Sequence, residues 1–259
     1  MQPLKRSIPN TLTALNLISG CFAAFFAFKG FFEIVFFLVL LGAFFDLFDG
    51  LISRLLKVES DFGIQFDSMA DLITCGMVPG IVMYNLLART DLQGRNFIFK
   101  IFENEFNISF VPLSFAGFFI TLATSIRLAK FNIDKDIKTE FKGLPAPVNA
   151  LFIVSLPILI ENPLIMDFRY SIESQTTFLA IIIISCILMN NNIPFFSLKS
   201  ISLKNERFKI LVLLILSIPL FSIFCFASFP MIILIYILLN LLAIIAIKLG
   251  LSSKLKRYN

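Results

Sequence analysis

The chain of 259 residues contains no histidine. That removes Ser-His-Asp triads, Cys-His pairs, His-ligated zinc or haem, and histidine-based phosphodiesterase chemistry. Any catalysis must run on carboxylates, Lys, Arg or hydroxyls. Charge is scarce as well: 15% of residues are Asp, Glu, Lys or Arg, against about 25% in an ordinary soluble domain. The four cysteines, Cys21, Cys75, Cys186 and Cys225, lie in or beside apolar runs without paired spacing. They read as small core residues, with neither a disulfide framework nor a metal knuckle. No soluble domain, internal repeat or low-complexity linker stands out along the sequence.

What fills the chain instead is apolar side chain. Hydrophobic residues make up 58% of it, and 33 of them are Phe. A soluble domain of this size has too little interior to hide that surface. The apolar runs are too long and unbroken for barrel strands, so an all-α, polytopic membrane helix bundle is expected. Eight apolar stretches can be marked, at 11–28, 31–53, 64–88, 109–129, 145–160, 175–190, 210–227 and 230–248. Several fall short of the roughly 20 residues that cross a bilayer. The last two are divided by a turn near Ser228-Phe229-Pro230. One membrane domain, residues 1–259, is expected.

The distribution of cations sets an orientation. With both termini in the cytoplasm, 17 Lys and Arg fall on the inner side and 5 on the outer side. That bias favours cytoplasmic termini and an even number of spans. The net charge of +5 suits anionic headgroups, and no nucleic-acid partner is expected. Lys5-Arg6, the following apolar run and Ile18-Ser19-Gly20-Cys21 together resemble a lipoprotein signal. The seven further spans and the nearby acidic region favour a retained first helix instead.

The stretch from Phe45 to Gly76 carries the chemistry. Asp46 and Asp49 are three apart, Arg54 is five beyond Asp49, and Asp67 and Asp71 are four apart. At about 100° per residue, Asp46, Asp49, Gly50, Ser53 and Arg54 share one helix sector, and Asp67 and Asp71 share a face of the next helix. Ser60, Asp61 and Gly63 supply the turn between them. Two antiparallel helices would thus gather four carboxylates at the cytoplasmic mouth. Four such groups would repel strongly unless protonated or bound to cations. Oxygen-only ligands favour a hard ion, Mg²⁺ or Mn²⁺, and two ions sharing them suit a pyrophosphate. Arg54 is placed to hold phosphate oxygens. Gly50 and Gly63 allow a ligand close to the backbone. Four Asp and an Arg facing one way in a lipid-embedded protein are too costly to be incidental.

Those residues resemble the signature of the CDP-alcohol phosphotransferase family, D-x-x-D-G-x-x-A-R-x8-G-x-x-x-D-x-x-x-D. Asp46, Asp49-Gly50, Arg54, Gly63, Asp67 and Asp71 fit every spacing, seven defined positions across 26 residues. Ser53 stands where the family usually has Ala, and both are small. The resemblance implies transfer of a phosphatidyl group from CDP-diacylglycerol to an alcohol, with release of CMP. It implies that Asp46, Asp49, Asp67 and Asp71 bind two metals and that Asp71 is the general base. It further implies that Gly50, Ser53, Arg54, Ser60 and Gly63 contact CDP-diacylglycerol. A six-helix core within residues 1–190, a homodimer and a cytoplasm-facing site in the inner membrane are implied too. The helices at 210–248 are then additions to which no chemistry falls.

Three further stretches look like the phosphatidylserine synthase branch of that family. These are Pro9-Asn10-Thr11-Leu12-Thr13 with Asn16-Leu17 and Gly20; Ser60-x-Phe62-Gly63 running into Asp67-Ser68-Met69-Ala70-Asp71; and Arg127-Leu128-Ala129-Lys130-Phe131-Asn132 with Phe141-Lys142-Gly143-Leu144-Pro145-Ala146-Pro147. Lys130 replaces the usual Arg of the branch. The resemblance covers roughly residues 5–190 and implies L-serine as the acceptor. Serine brings a carboxylate that Arg127, Asn132 or Lys142 would hold. The same chemistry with glycerol 3-phosphate or an inositol phosphate is the alternative within the class. A divalent-cation transporter is the alternative outside it, weakened because the acids cluster at one mouth with no carboxylates in other spans to pass an ion on.

Overall fold

A computed structural model describes residues 2–58, 60–90, 95–101, 104–133, 143–191 and 204–248. The chain is built as a helical bundle whose first two helices form an antiparallel pair. Helix α1 spans Gln2–Lys29 and α2 spans Phe32–Leu56. Gly30 turns the chain between them at φ 79, a conformation that costs glycine little. Its N–H donates to Ala27 O at 3.0 Å, and Phe31 N–H donates to Phe26 O at 3.1 Å. Helix α2 ends at Lys57, in the left-handed region at φ 53. Ser60 then caps α3, Asp61–Asp71, by accepting the Gly63 N–H at 3.1 Å.

A widened π turn, Leu72–Met77, follows α3 directly and leads into α4, Val78–Thr90. Together these elements make one apolar span of 30 residues, Asp61–Thr90. It is the most enclosed of the spans: Val78, Ile81, Val82, Met83, Leu86 and Leu87 are all buried. Around it pack α1, α5 (Phe118–Ile133, preceded by a 3-10 turn at Pro112–Gly117), α6 (Ala146–Ile160) and α8 (Gln175–Asn190). Close approach depends on small residues. A Cβ on Gly117 would lie 2.6 Å from Tyr84 N and 2.7 Å from Gly80 O, so backbone meets backbone there. At the far end of the bundle from the Asp residues, Arg89 pairs with Glu161 at 3.2 Å and lies 4.7 Å above the Phe32 ring.

The membrane part is helical, as expected, and among the described residues fewer than eight helices have the length and apolarity of a span. Among the described residues five helices are long and apolar enough to cross a membrane. A sixth is reached if α6 and the Pro163–Ile172 segment containing α7 (Met166–Ile172), bent by 80°, count as one span. Helix α8, at 16 residues, is short. A two-stranded antiparallel hairpin, β1 Arg95–Ile101 with β2 Asn104–Phe110, qualifies the all-α expectation. The apolar stretch marked from 109 therefore begins inside a strand, and its helical span runs from Pro112 to Ile133. Alternation of apolar Phe106, Ile108 and Phe110 with polar Asn107 and Ser109 suits β2, and β1 carries the β-forming run Phe97-Ile98-Phe99.

The C-terminal segment comprises α9, Lys204–Phe224, and α10, Phe229–Lys248. They break at a 3-10 turn, Cys225–Ser228, where Cys225 sits at φ 49. The break thus lies just before the expected turn at Ser228-Phe229-Pro230, with Pro230 in the first turn of α10, where its missing N–H costs nothing. Aromatic rings fasten this segment to α2: Phe36 meets Phe229 and Phe37 meets Phe226, each pair with centroids 5.0 Å apart. All four cysteines are free, and Cys75 is buried while Cys21 and Cys225 are exposed.

Replacing Gly117 with Ala should destabilise the detergent-solubilised protein by about 1–3 kcal/mol, because rigid backbone must move aside. The check is the thermal unfolding midpoint. An unchanged midpoint would show that the contact with Gly80 and Tyr84 does not hold α4 in place.

Candidate active site

Helices α2 and α3 bring the acidic residues together as their spacing requires. One carboxylate oxygen from each of Asp46, Asp49 and Asp67 lies within 4.8 Å of the others. Asp49 and Asp71 are buried, while Asp46 and Asp67 are half-buried. Carboxylates this close must share a proton or a cation. Asp67 Oδ1 is buried with no hydrogen-bond partner, as expected of an oxygen meant for a cation. The donor set is all oxygen, which suits a hard divalent ion. These residues fit a bound metal.

Asp71 stands one turn beyond Asp67 and outside that triplet. Its Oδ1 accepts a hydrogen bond from Asn16 Nδ2 at 3.1 Å. Asn16 Oδ1 in turn accepts from Thr74 Oγ1 at 2.9 Å, and Thr74 Oγ1 also reaches Asn16 O at 3.2 Å. Thr74 lies within the π turn. A widened turn aims residues away from the ordinary helical face, a device often found beside functional groups. The order Thr74 to Asn16 to Asp71 fixes which amide atom faces the carboxylate.

Helix α1 supplies a second contact, which the sequence reading did not assign to the site. Thr13 Oγ1 donates a short hydrogen bond to Asp49 Oδ2. Thr13 and Asn16 are both buried, on the stripe Pro9, Thr13, Asn16, Gly20, Ala23 and Ala27 that faces the bundle. The signal was present: small and polar residues recur there every three or four positions, the period of one helix face. Room for the approach comes from Gly42, whose Cβ would lie 2.8 Å from Asn16 Oδ1.

The expected CDP-diacylglycerol contacts gather at the end of α2 and the start of α3. Arg54 Nε donates to Gly50 O at 2.7 Å, and Ser53 Oγ donates to the same carbonyl at 3.3 Å. Arg54 is exposed, so its remaining donors are open to a ligand. Ser60 has a structural task already, the α3 cap. Gly63 lies beside it: its Cβ would be 3.3 Å from Ser60 Oγ and 3.6 Å from Asn10 Oδ1.

Of the expected serine contacts, Arg127 and Asn132 meet different partners. Arg127 is half-buried with its Nε enclosed, and it lies in electrostatic range of Asp71 and Cys75. Asn132, five residues on, is tied to another part of α3, donating to Ser68 Oγ at 3.0 Å and to Gln65 Oε1 at 3.3 Å. Lys142 lies outside the described residues.

The family model for CDP-alcohol phosphatidyltransferase matches residues 6–197. A Helicobacter pylori protein named CDP-diacylglycerol–serine O-phosphatidyltransferase is 30% identical over 214 residues, covering 81% of this chain and 80% of its own. Proteins of the same name from Methanocaldococcus jannaschii and Bacillus subtilis are each 29% identical. The first alignment covers 74% of this chain and 87% of the relative, and the second 61% and 79%. With its Asp-lined site and a family match over most of its length, the chain belongs to the CDP-alcohol phosphatidyltransferase family.

Proposed function

We propose that the protein transfers the phosphatidyl group of CDP-diacylglycerol to the hydroxyl of L-serine, giving phosphatidylserine and CMP. The convergence of Asp46, Asp49 and Asp67 on one point carries the chemistry. Serine as acceptor is supported by the name of the relatives that align over four fifths of the chain. The single membrane domain of residues 1–259 has its catalytic core in 1–190, and 210–248 adds two membrane helices. Eight membrane helices are reached when the short α8 crosses and α9 and α10 cross separately, and the 17 cations against 5 favour cytoplasmic termini in the inner membrane. The working unit is a homodimer, as the family resemblance implies.

In this mechanism the lipid tails of CDP-diacylglycerol stay in the bilayer while its pyrophosphate meets the ends of α2 and α3. Arg54 holds phosphate oxygens, and Gly50 and Gly63 let the nucleotide approach the backbone, with Ser53 and Ser60 at its edge. Asp46, Asp49, Asp67 and Asp71 would hold two divalent cations, Mg²⁺ or Mn²⁺, which would supply counter-charge for the pyrophosphate and for the departing CMP oxygen. Asn16 fixes the orientation of Asp71 through the hydrogen bond at 3.1 Å. Asp71 takes the proton from the serine hydroxyl. The serine oxygen bonds to the β-phosphorus, and the bond from that phosphorus to the CMP oxygen breaks, CMP leaving with the electron pair. Arg127, beside Asp71, holds the serine carboxylate, and Asn132 and Lys142 line the approach.

The acceptor is tested by CMP release from purified protein supplied with CDP-diacylglycerol and Mn²⁺. Serine should drive release, and glycerol 3-phosphate or inositol phosphate should not; the reverse preference refutes serine. Asp71→Asn should abolish turnover while the protein still folds, and near-normal turnover would remove the base from Asp71. Asn16→Ala should lower kcat about 10–100-fold, the usual cost of losing a group that orients a site residue, and an unchanged kcat would dismiss that contact. Stripping the protein with a chelator should abolish CMP release, and adding back Mg²⁺ or Mn²⁺ should restore it; full activity after stripping would exclude the metal role.

A further inference from the structure

Five buried side-chain polar atoms among the described residues have no hydrogen-bond partner: Asp67 Oδ1, Arg127 Nε, Asn149 Nδ2, Asn149 Oδ1 and Asn190 Oδ1. The first belongs to the acidic cluster. The other four are two donors and two acceptors, distributed over α5, α6 and α8. Asn149 is wholly enclosed at 0% exposure, and neither end of its amide is satisfied. An amide left in that state inside an apolar bundle is costly.

The elements that carry these groups pack on one another. Helices α5 and α8 run side by side in the same direction: Cys186 Sγ donates to Phe119 O at 3.5 Å and Asn190 Nδ2 to Ala123 O at 3.0 Å. Helix α6 begins against the last turn of α8, where Leu144 N–H donates to Leu188 O at 2.9 Å. The π turn closes the ring, packing on α5 and on α6, with Thr121 Oγ1 donating to Gly76 O at 3.0 Å. Four elements therefore surround the interior in the order π turn, α5, α8, α6. Helical side chains lean toward the N-terminus of their own helix. Arg127 leans back toward the level of Ala123, where Asn190 is anchored. Asn149, on the helix running the other way, leans toward Pro145, beside the last turn of α8. These directions turn the three groups toward one level of the bundle, with Arg127 in electrostatic range of Asp71.

We infer that Asn149 and Asn190, with Arg127, form a subsite for the two charged groups of an amino-acid acceptor, deepening the serine-transfer proposal on which it rests. Arg127 Nε and Asn149 Nδ2 donate to the carboxylate. Asn149 Oδ1 and Asn190 Oδ1 accept from the ammonium. The hydroxyl is left on the side of Asp71. Asn190 Nδ2 is already committed to Ala123 O and Cys186 O, so its free oxygen has one polarity to offer. One guanidinium and two amide carbonyls match a zwitterion. They are a poor match for a phosphate dianion, which needs several cations and is repelled by carbonyl oxygens.

The test is steady-state kinetics of Asn149→Ala and Asn149→Leu in the full chain with CDP-diacylglycerol and Mn²⁺. The subsite predicts a serine KM raised about ten-fold or more, the effect of losing hydrogen bonds to charged groups, with the KM for CDP-diacylglycerol unmoved. A purely structural Asn149 predicts a lowered unfolding midpoint with the serine KM unchanged, and that result overturns the proposal. A measurement on the wild type keeps it falsifiable should both variants fail to fold. Ethanolamine, lacking the carboxylate, and 3-hydroxypropanoate, lacking the ammonium, should each compete with serine at least about ten-fold more weakly than serine binds. Equal competition by either overturns the subsite. A wild type that releases CMP with another acceptor and ignores serine refutes the serine-transfer proposal itself, whereas serine use with an unmoved KM in the variants refutes the subsite alone.

Discussion

Burying carboxylates inside a lipid-embedded bundle is the constraint on which the rest of this structure depends. Asp49 and Asp71 are buried and Asp67 leaves an oxygen without a partner, in a protein whose other buried side chains are apolar or uncharged. Hydrocarbon offers no water to satisfy them. The bundle answers with polar groups from neighbouring elements: Thr13 for Asp49, Asn16 for Asp71, and Thr74 to hold Asn16. Those contacts require α1, α2 and the π turn to approach closely, and glycines at 20 and 42 make the room. The same packing leaves the oxygens of Asp46, Asp49 and Asp67 converging, where a divalent cation is the natural counter-charge.

Local spacing and tertiary packing divide the site between what a sequence can and cannot reveal. Asp46 with Asp49, and Asp67 with Asp71, lie on helices where spacing alone fixes a shared face, so their convergence was legible. Ser60 and Gly63 were legible as a turn, and the cap between them follows from residue type. Asn16 and Thr13 were visible as part of a family stretch, yet their partners are 55 and 36 positions away, and only packing pairs them. Arg127 and Asn132 looked like one pocket because they are close in sequence. On a helix, five residues correspond to about 140° of rotation, and the two point at different partners. Asn149 carried no signal at all: an Asn two residues after Pro147 reads as ordinary helix-entry chemistry until its enclosure is known.

The fold shows a similar division. Long apolar runs made the helical bundle plain, since only helices satisfy their own backbone in lipid. The hairpin between α4 and the following 3-10 turn fell almost wholly in the gap between the stretches 64–88 and 109–129, because its short runs lack the length that marks a span. The break in the C-terminal segment falls at Cys225, whose positive φ no residue-type rule would assign to a cysteine. That segment is bound to α2 by phenylalanine rings and shows most of its surface outward, as a lipid-facing addition would.

The central claim is that the acidic cluster exists to hold divalent cations for phosphatidyl transfer. It is tested most directly by counting Mn²⁺ bound to the purified protein by electron paramagnetic resonance, for the wild type and for Asp67→Asn. The account predicts two bound ions in the wild type, and weakened binding together with loss of CMP release in the variant. A wild type that binds no Mn²⁺ yet releases CMP would contradict it.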